Sequence, residues 1–265
     1  MFNYIKKRLL RFLNSILKRL IGYRLHKIEK NNFFSVNFPE ASLSEINLMD
    51  LCSKYSMTGY DRIFFLIKAI SYIHSNKVAG DFVECGVWRG GNLILFQKMI
   101  NKFNLKKKIY AYDTFEGMTQ PLEIDRKLNH GPNAKDLMSK ELKDESKLNI
   151  HCYSSLNQVI NNFKINTKNA KNLICIKGAV EKTLRDKKNL PKKISILRLD
   201  TDFYESTKIE LEILFPLLEN NGILIIDDYG CWQGAKNAVD EYFFKKKFTM
   251  FKIDITARFI IKNNL

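Results

Sequence analysis

No two of the five cysteines in this 265-residue chain form a Cys-x-x-Cys pair. An odd number without a framework argues for free thiols in a reducing compartment. The same spacing argues against zinc, and the four histidines show no ligand spacing either. No run of about 18 uncharged apolar residues occurs, which excludes a spanning helix. The N-terminus also lacks the continuous apolar core of a cleavable signal, because Arg8, Arg11, Lys18 and Arg19 interrupt it. Acidic residues are few, 28 against 44 Lys and Arg, which leaves a net charge of +16. Half of that excess, +8, falls within residues 1–30. What is present is ordinary for a globular chain, 45% hydrophobic and 27% charged. Disorder throughout, collagen and a multi-span membrane protein are excluded. The length is sufficient for one large domain with appendages.

Residues 2–21 have a helical pattern. Phe2, Ile5, Leu9, Phe12, Ile16 and Leu20 recur at spacings of three and four, with Asn3, Lys7, Arg11, Asn14 and Lys18 opposite. An apolar stripe beside a basic face suits packing on the chain's own domain or on a second subunit. It also suits an anionic membrane surface. No nucleic-acid motif accompanies it. Residues 22–50 are polar and mixed and are expected to form a linker. The sequence divides into 1–49, a basic amphipathic helix and arm, and 50–265, one domain.

Beyond the arm, a helical pattern at Tyr60–Ile73 precedes alternating strands and helices. Strands are expected at Asp81–Val87, Lys108–Phe115, Leu173–Gly178, Ile194–Asp200 and Gly222–Asp227, with a terminal hairpin over about 247–254 and 257–262. Helices are expected at Asn92–Phe103, at about Ser206–Glu219 and at about Ala235–Phe244. This alternation predicts an α/β fold with a doubly wound, mostly parallel, seven-stranded sheet. In such sheets ligands bind beyond the carboxyl ends of the strands. Residues 118–150 are charged, poor in β-branched residues and broken by Pro121, Gly131 and Pro132, as an inserted lid would be.

Three strand ends carry polar constellations. The first reads Glu84-Cys85-Gly86-Val87-Trp88-Arg89-Gly90-Gly91. Its glycines permit close approach of the backbone to a ligand, but they do not have the dinucleotide spacing. The second ends at Asp113, 22 residues beyond Gly91, where an acid can accept hydrogen bonds from ribose hydroxyls. Together they favour a ligand with an adenosine-type ribose, and the missing glycine pattern shifts the choice from nicotinamide to S-adenosylmethionine. The third constellation joins two strands. One ends in Asp200-Thr201-Asp202 and the other in Asp227-Asp228. Asp200, Asp227 and Asp228 on one sheet edge would repel unless a cation neutralised them. Oxygen ligands of this kind suit magnesium. For any one of these acids, a helix cap or salt bridge is the plainer role.

The chain resembles the macrocin O-methyltransferase family. The strings that carry the resemblance are Asp81-Phe-Val-Glu-Cys-Gly-Val-Trp-Arg-Gly-Gly91, Tyr112-Asp-Thr-Phe-Glu-Gly117, Leu197-Arg-Leu-Asp-Thr-Asp-Phe-Tyr-Glu-Ser-Thr207 and Ile226-Asp-Asp-Tyr229. Weaker matches are Ser56–Arg62 and Lys177–Leu184, the second lacking an aromatic and a proline usual in the family. The resemblance covers about residues 50–250. It implies a magnesium-dependent, S-adenosylmethionine-dependent O-methyltransferase acting on a sugar hydroxyl. It also implies cofactor contacts at Met57, Thr58, Glu84, Gly86, Arg89, Gly90, Gly91, Asp113 and Gly178, and metal ligands at Asp200, Asp227 and Asp228. Asp200 resembles the family's general base in position, with Asp202 the alternative.

A catechol-type O-methyltransferase shares this metal logic, and a non-catalytic binding module with a degenerate cofactor fold is the contrasting reading. The expected partner is a small molecule or glycan with a free hydroxyl, and no nucleic acid. A homo-oligomer is expected, as is a cytoplasmic location, with peripheral contact at the inner face of the membrane if residues 1–21 bind there.

Overall fold

The computed structural model describes residues 33–168, 170–246 and 248–263. The helix expected at 2–21 lies outside them. The described residues up to Ile46 belong to one unit and those from Asn47 onward to a second.

In the first unit a short helix occupies Phe33–Asn37, and a second helix, Leu43–Ser53, begins. The sequence suggested an irregular arm here. The second helix starts at a capping box. Glu45 Oε2 accepts the Ser42 amide at 2.8 Å, and Ser42 Oγ accepts the Glu45 amide at 3.3 Å. Each side chain satisfies an amide that the helix itself cannot.

The second unit is built on a seven-stranded sheet: β1 (Asp81–Cys85), β2 (Ile109–Asp113), β3 (Leu173–Lys177), β4 (Ile194–Leu199), β5 (Leu218–Ile226), β6 (Phe251–Lys252) and β7 (Arg258–Ile261). Their order is β3-β2-β1-β4-β5-β7-β6. The first five are parallel, β7 runs antiparallel to β5, and β6 pairs antiparallel with β7. Every residue of β4 is buried, so both faces of the sheet are covered there. One group of covering helices contains Tyr60–Ser75, Gly91–Phe103 and Leu156–Thr167. Another pairs Tyr204–Leu214 with Gln233–Phe243.

The helix expected to reach Glu219 ends at Leu214. A single 3-10 turn, Phe215–Leu217, follows, and β5 begins at Leu218. Pro216 accounts for the early stop because it has no amide to continue the helical hydrogen-bond ladder, although Phe215 before it still holds helical angles, φ −62° and ψ −36°. The Asn220-Asn221-Gly222 stretch therefore lies inside β5 as a bulge. The register moves from Ile194↔Leu218 to Ile196↔Ile223, and Asn221 adopts a φ of 60°. The helix Leu156–Thr167 is an addition to the sequence reading. It is capped by Ser155 Oγ, which accepts the Gln158 amide.

The order reverses between β1 and β4, where chain connections depart to opposite sides. The hydrogen-bond ladder continues one residue past each strand there. The Asp200 amide donates to Cys85 O at 2.9 Å, Asp227 to Leu199 O at 3.0 Å, and Gly86 to Tyr112 O at 2.9 Å. This ladder brings the glycine turn and the aspartates to one edge.

Candidate active site

A cavity of about 500 Å³ opens at that edge. Met57, Thr58, Gly86, Asp113 and Gly178 line it, together with Asp200, Asp202, Asp227 and Asp228. Glu84, Arg89, Gly90 and Gly91 do not.

Those four have other surroundings. Glu84 is buried below the cavity, where its Oε1 accepts Asn92 Nδ2 at 2.9 Å and Arg198 Nη1 at 2.6 Å. Burial raises its pKa to about 7 against the pull of Arg198. Gly91 allows chain packing, since a Cβ there would lie 2.7 Å from Cys52 O and from Ser56 Cβ. Gly90 adopts a φ of 85°. Arg89 stacks on the Trp88 ring at 4.6 Å and donates to Glu145 O at 2.6 Å. It thus ties the glycine turn to the lid. Gly86 is indispensable on steric grounds. Its φ is 78°, and a Cβ would lie 2.0 Å from Asp200 O.

Asp113 faces the cavity but is already engaged. Oδ2 accepts the Val87 amide at 2.7 Å and Oδ1 accepts the Phe115 amide at 2.7 Å. Two further contacts are long at 3.4 Å, from the Trp88 amide to Oδ2 and from Thr114 Oγ1 to Oδ1, and these weak bonds can yield to a ribose hydroxyl. Burial pushes its pKa up, and the amide donors pull it back. Glu181 also lines the cavity. Its Oε2 is buried and, among the described residues, meets no hydrogen-bond donor. A buried acceptor left open beside Gly178 suits the amino group of an adenine base. These residues fit an adenosine-containing cofactor.

The acidic cluster is denser than the sequence indicated. One carboxylate oxygen from each of Asp200, Asp202 and Asp228 lies within 4.8 Å of the other two. The chain can present both Asp200 and Asp202 because it turns at Asp202, whose φ is 68°. Burial raises the pKa of Asp202 to about 7. Burial, and then the Asp202 charge, push Asp228 well above the carboxylate range. The buried Asp228 Oδ2 has no hydrogen-bond partner among the described residues. An open buried oxygen beside two further carboxylates is the donor set of a divalent cation, so these residues fit one.

Asp227 differs from that trio. It is buried, and guanidinium groups engage both its oxygens. Oδ1 accepts Arg198 Nη2 at 2.7 Å, and Oδ2 accepts Arg62 Nη1. Arg198, which is only 3% exposed, also donates to Asp200 Oδ2 at 2.7 Å and Thr58 Oγ1 at 3.0 Å. The sequence did carry a signal for Arg198, a lone cation inside the apolar run of β4. Arg62 stands within a quoted string, but its partners are far away in sequence.

The lid is docked on the segment after β5. Lys127 forms an isolated bridge with Trp232, and its Nζ lies 3.9 Å from the Trp232 ring centroid. Buried Asp125 accepts the Tyr204 amide at 2.8 Å and the Leu122 amide at 2.7 Å. Met118, Leu137, Leu148, Ile150 and Trp232 give the cavity an apolar side.

A mostly parallel sheet of this order, with acids at the carboxyl ends of β2, β4 and β5, is the architecture of a Rossmann-like methyltransferase domain. A family model described as macrocin-O-methyltransferase (TylF) matches residues 24–262. The chain belongs to this family and is an O-methyltransferase.

It is 30% identical to a demethyldecarbamoylnovobiocin O-methyltransferase of Streptomyces niveus, over 71% of this chain and 67% of that relative. It is 25% identical to a mycinamicin III 3''-O-methyltransferase of Micromonospora griseorubida, over 71% of this chain and 70% of the relative. The solved structure of the O-methyltransferase NovP superposes with a TM-score of 0.67 at 25% identity, covering 79% of this chain and 83% of that one. Among the described residues no helix is long and apolar enough to cross a membrane.

Proposed function

We propose that this O-methyltransferase moves a methyl group from S-adenosylmethionine to a sugar hydroxyl, with a divalent cation, magnesium by preference, held by Asp200, Asp202 and Asp228. The observation that carries the reading is the close trio of carboxylates, one oxygen unpartnered, in the cavity that Asp113 and Gly86 also line. The relatives' names support the acceptor class, since the Mycinamicin enzyme is described as a 3''-O-methyltransferase. The sulfonium cofactor supplies an electrophilic methyl group, and the cation favours loss of a proton from the acceptor hydroxyl.

The chain's own residues do the rest. Asp113 and Gly178 hold the adenosine end, and Met57 and Thr58 line the same cavity. Asp202 serves as the base, because Arg198 already engages Asp200. Arg198 fixes Thr58, Asp200 and Asp227 relative to one another, so the site is ordered before substrates arrive. The apolar side of the lid excludes water and can cover the less polar face of a sugar or its aglycone.

The test is incubation with labelled S-adenosylmethionine and a panel of nucleotide sugars and glycosides, with magnesium or with EDTA. Label in a sugar product only when magnesium is present is the expected result. Transfer to catechols alone would replace the acceptor class, and full transfer after EDTA would remove the cation.

A further inference from the structure

We propose that Asp125 is a positioning residue, which reaches out of the lid to clasp the starts of two helices and so sets the acids that stand just before them. The proposal rests on the cation reading above. Asp125 is only 1% exposed. Its Oδ1 accepts the Tyr204 amide at 2.8 Å, across 79 residues, and its Oδ2 accepts the Leu122 amide at 2.7 Å within the lid. Tyr204 opens the helix Tyr204–Leu214, whose N-cap, Phe203, makes no side-chain capping bond. The lid supplies the missing acceptor, and a carboxylate there suits the positive end of the helix.

The next lid residue does the same for the second helix. Arg126 O accepts the Gln233 amide at 2.8 Å. Gln233 opens the helix Gln233–Phe243, whose N-cap, Trp232, likewise makes no side-chain capping bond. Gly234 marks how closely these segments meet, because a Cβ there would collide with Asp125 Oδ1 and lie 2.9 Å from the Tyr204 amide nitrogen. Two adjacent lid residues thus hold both helix starts, and the acids stand close by. One residue, Phe203, separates Asp202 from the first helix, and its amide donates back to Thr201 O at 2.8 Å. Four residues separate Asp228 from the second, and the amides of Cys231 and Trp232 donate back to Asp228 O at 2.9 and 3.0 Å. These connections leave little slack, so the place where each helix starts decides where Asp202 and Asp228 stand.

Loss of the clasp should therefore loosen both acid-bearing turns and spare the cofactor half of the site, which is built on β1, β2 and β3. A residue that merely supports the fold would loosen the domain evenly. One that only closes the lid would loosen residues 118–150 alone. Full-length wild type, Asp125→Ala, Asp125→Asn and Gly234→Ala would be compared by amide hydrogen exchange, by calorimetric titration with S-adenosylmethionine, and by titration with Mn2+ alone followed by electron paramagnetic resonance. Asp125→Ala is expected to exchange about tenfold faster over 203–207 and 231–236, and to stay within about twofold of wild type over 82–99. Its Mn2+ affinity is expected to fall about fivefold or more, with S-adenosylmethionine affinity within about threefold of wild type. Asp125→Asn keeps one acceptor oxygen for the two amides and is expected to lie between. Gly234→Ala displaces Asp125 without removing it and should reproduce Asp125→Ala.

Even acceleration across the domain, acceleration confined to 118–150, or wild-type exchange at the two helix starts in a folded Asp125→Ala would each overturn the proposal. So would loosened helix starts with unchanged Mn2+ affinity, since the acids would then be placed without the clasp. Gly234→Ala decides the matter if Asp125→Ala does not fold, and failure of both to fold would overturn the proposal by making the clasp a support of the whole domain. Wild-type protein that binds no Mn2+ would remove the cation reading itself, and the exchange pattern would then decide the clasp alone.

Discussion

The carboxylate of Asp113 accepts the backbone amide of Val87 at 2.7 Å, joining the end of β2 to the turn after β1. The acid expected to hold a ribose therefore also holds the glycine turn. The two roles are compatible, because Asp113 lines the cavity and its contacts from Trp88 and Thr114 are long enough, at 3.4 Å, to yield to a ligand hydroxyl. They also make the residue's removal more costly than loss of a single ligand contact.

Asp113→Ala should accordingly weaken S-adenosylmethionine binding by about 1–3 kcal/mol, the scale of a hydrogen bond to a charged group. It should also lower the melting temperature of the free protein, since the Val87 and Phe115 amides lose their acceptor. Calorimetric titration and a thermal melt read the two effects separately. An unchanged dissociation constant in a destabilised protein would leave Asp113 with the turn alone and place the ribose elsewhere.

Arg198→Met tests whether the buried network is structural. The side chain serves Glu84, Asp200, Asp227 and Thr58, and its loss strands three carboxylates with one fewer cation. Breaking a buried charge pair from one side costs about 3–5 kcal/mol. Denaturant unfolding should show a loss of that order. Wild-type stability would mean that the carboxylates are neutralised by protonation.

Asp202→Asn addresses the base. Asparagine retains one coordinating oxygen but has almost no basicity, so turnover should fall by about two orders of magnitude or more. Affinity for S-adenosylmethionine should remain near wild type, because the adenosine end lies by Asp113 and Gly178. If turnover survives in Asp202→Asn but collapses in Asp200→Asn, the base is Asp200 and its bond to Arg198 must open during the cycle.

Much of the sheet was legible because its strands are short apolar runs with polar ends, and the period alone locates such strands. The five parallel strands and the terminal hairpin occur in the expected order, and the C-terminal end of each differs by one or two residues, but β5 begins four residues earlier than expected and β6 is reduced to Phe251–Lys252. What could not be read depends on contacts distant in sequence. The pair Asp227-Asp228 suggests two equal ligands. Only the folded chain brings Arg62 and Arg198 onto one of them, across 165 and 29 residues. Asp202 was legible as an acid near the site, but its place beside Asp228 depends on a left-handed turn that aspartate tolerates and does not announce. The helix at Leu156–Thr167 escaped notice because its buried stripe is thin, Val159, Phe163 and Thr167 on an otherwise polar surface.

The first 21 residues lie outside the described part, yet their sequence makes a separable prediction. Residues 1–30 carry +8 of the net +16 and precede every residue of the proposed site. Deletion of residues 1–21 should therefore leave S-adenosylmethionine and Mn2+ affinities unchanged. The apolar stripe of Phe2, Ile5, Leu9, Phe12, Ile16 and Leu20 still needs a cover, and the basic face selects an anionic one. Each Lys or Arg near an anionic lipid surface contributes about 1 kcal/mol, screened within a Debye length of about 10 Å at 0.1 M salt. Full-length protein should float with phosphatidylserine-containing vesicles at low salt and release as salt rises, and the truncated protein should not float. A change of oligomeric size on deletion, without flotation, would show instead that a second subunit covers the stripe. Loss of cofactor affinity in a folded truncation would show that the segment belongs to the catalytic unit.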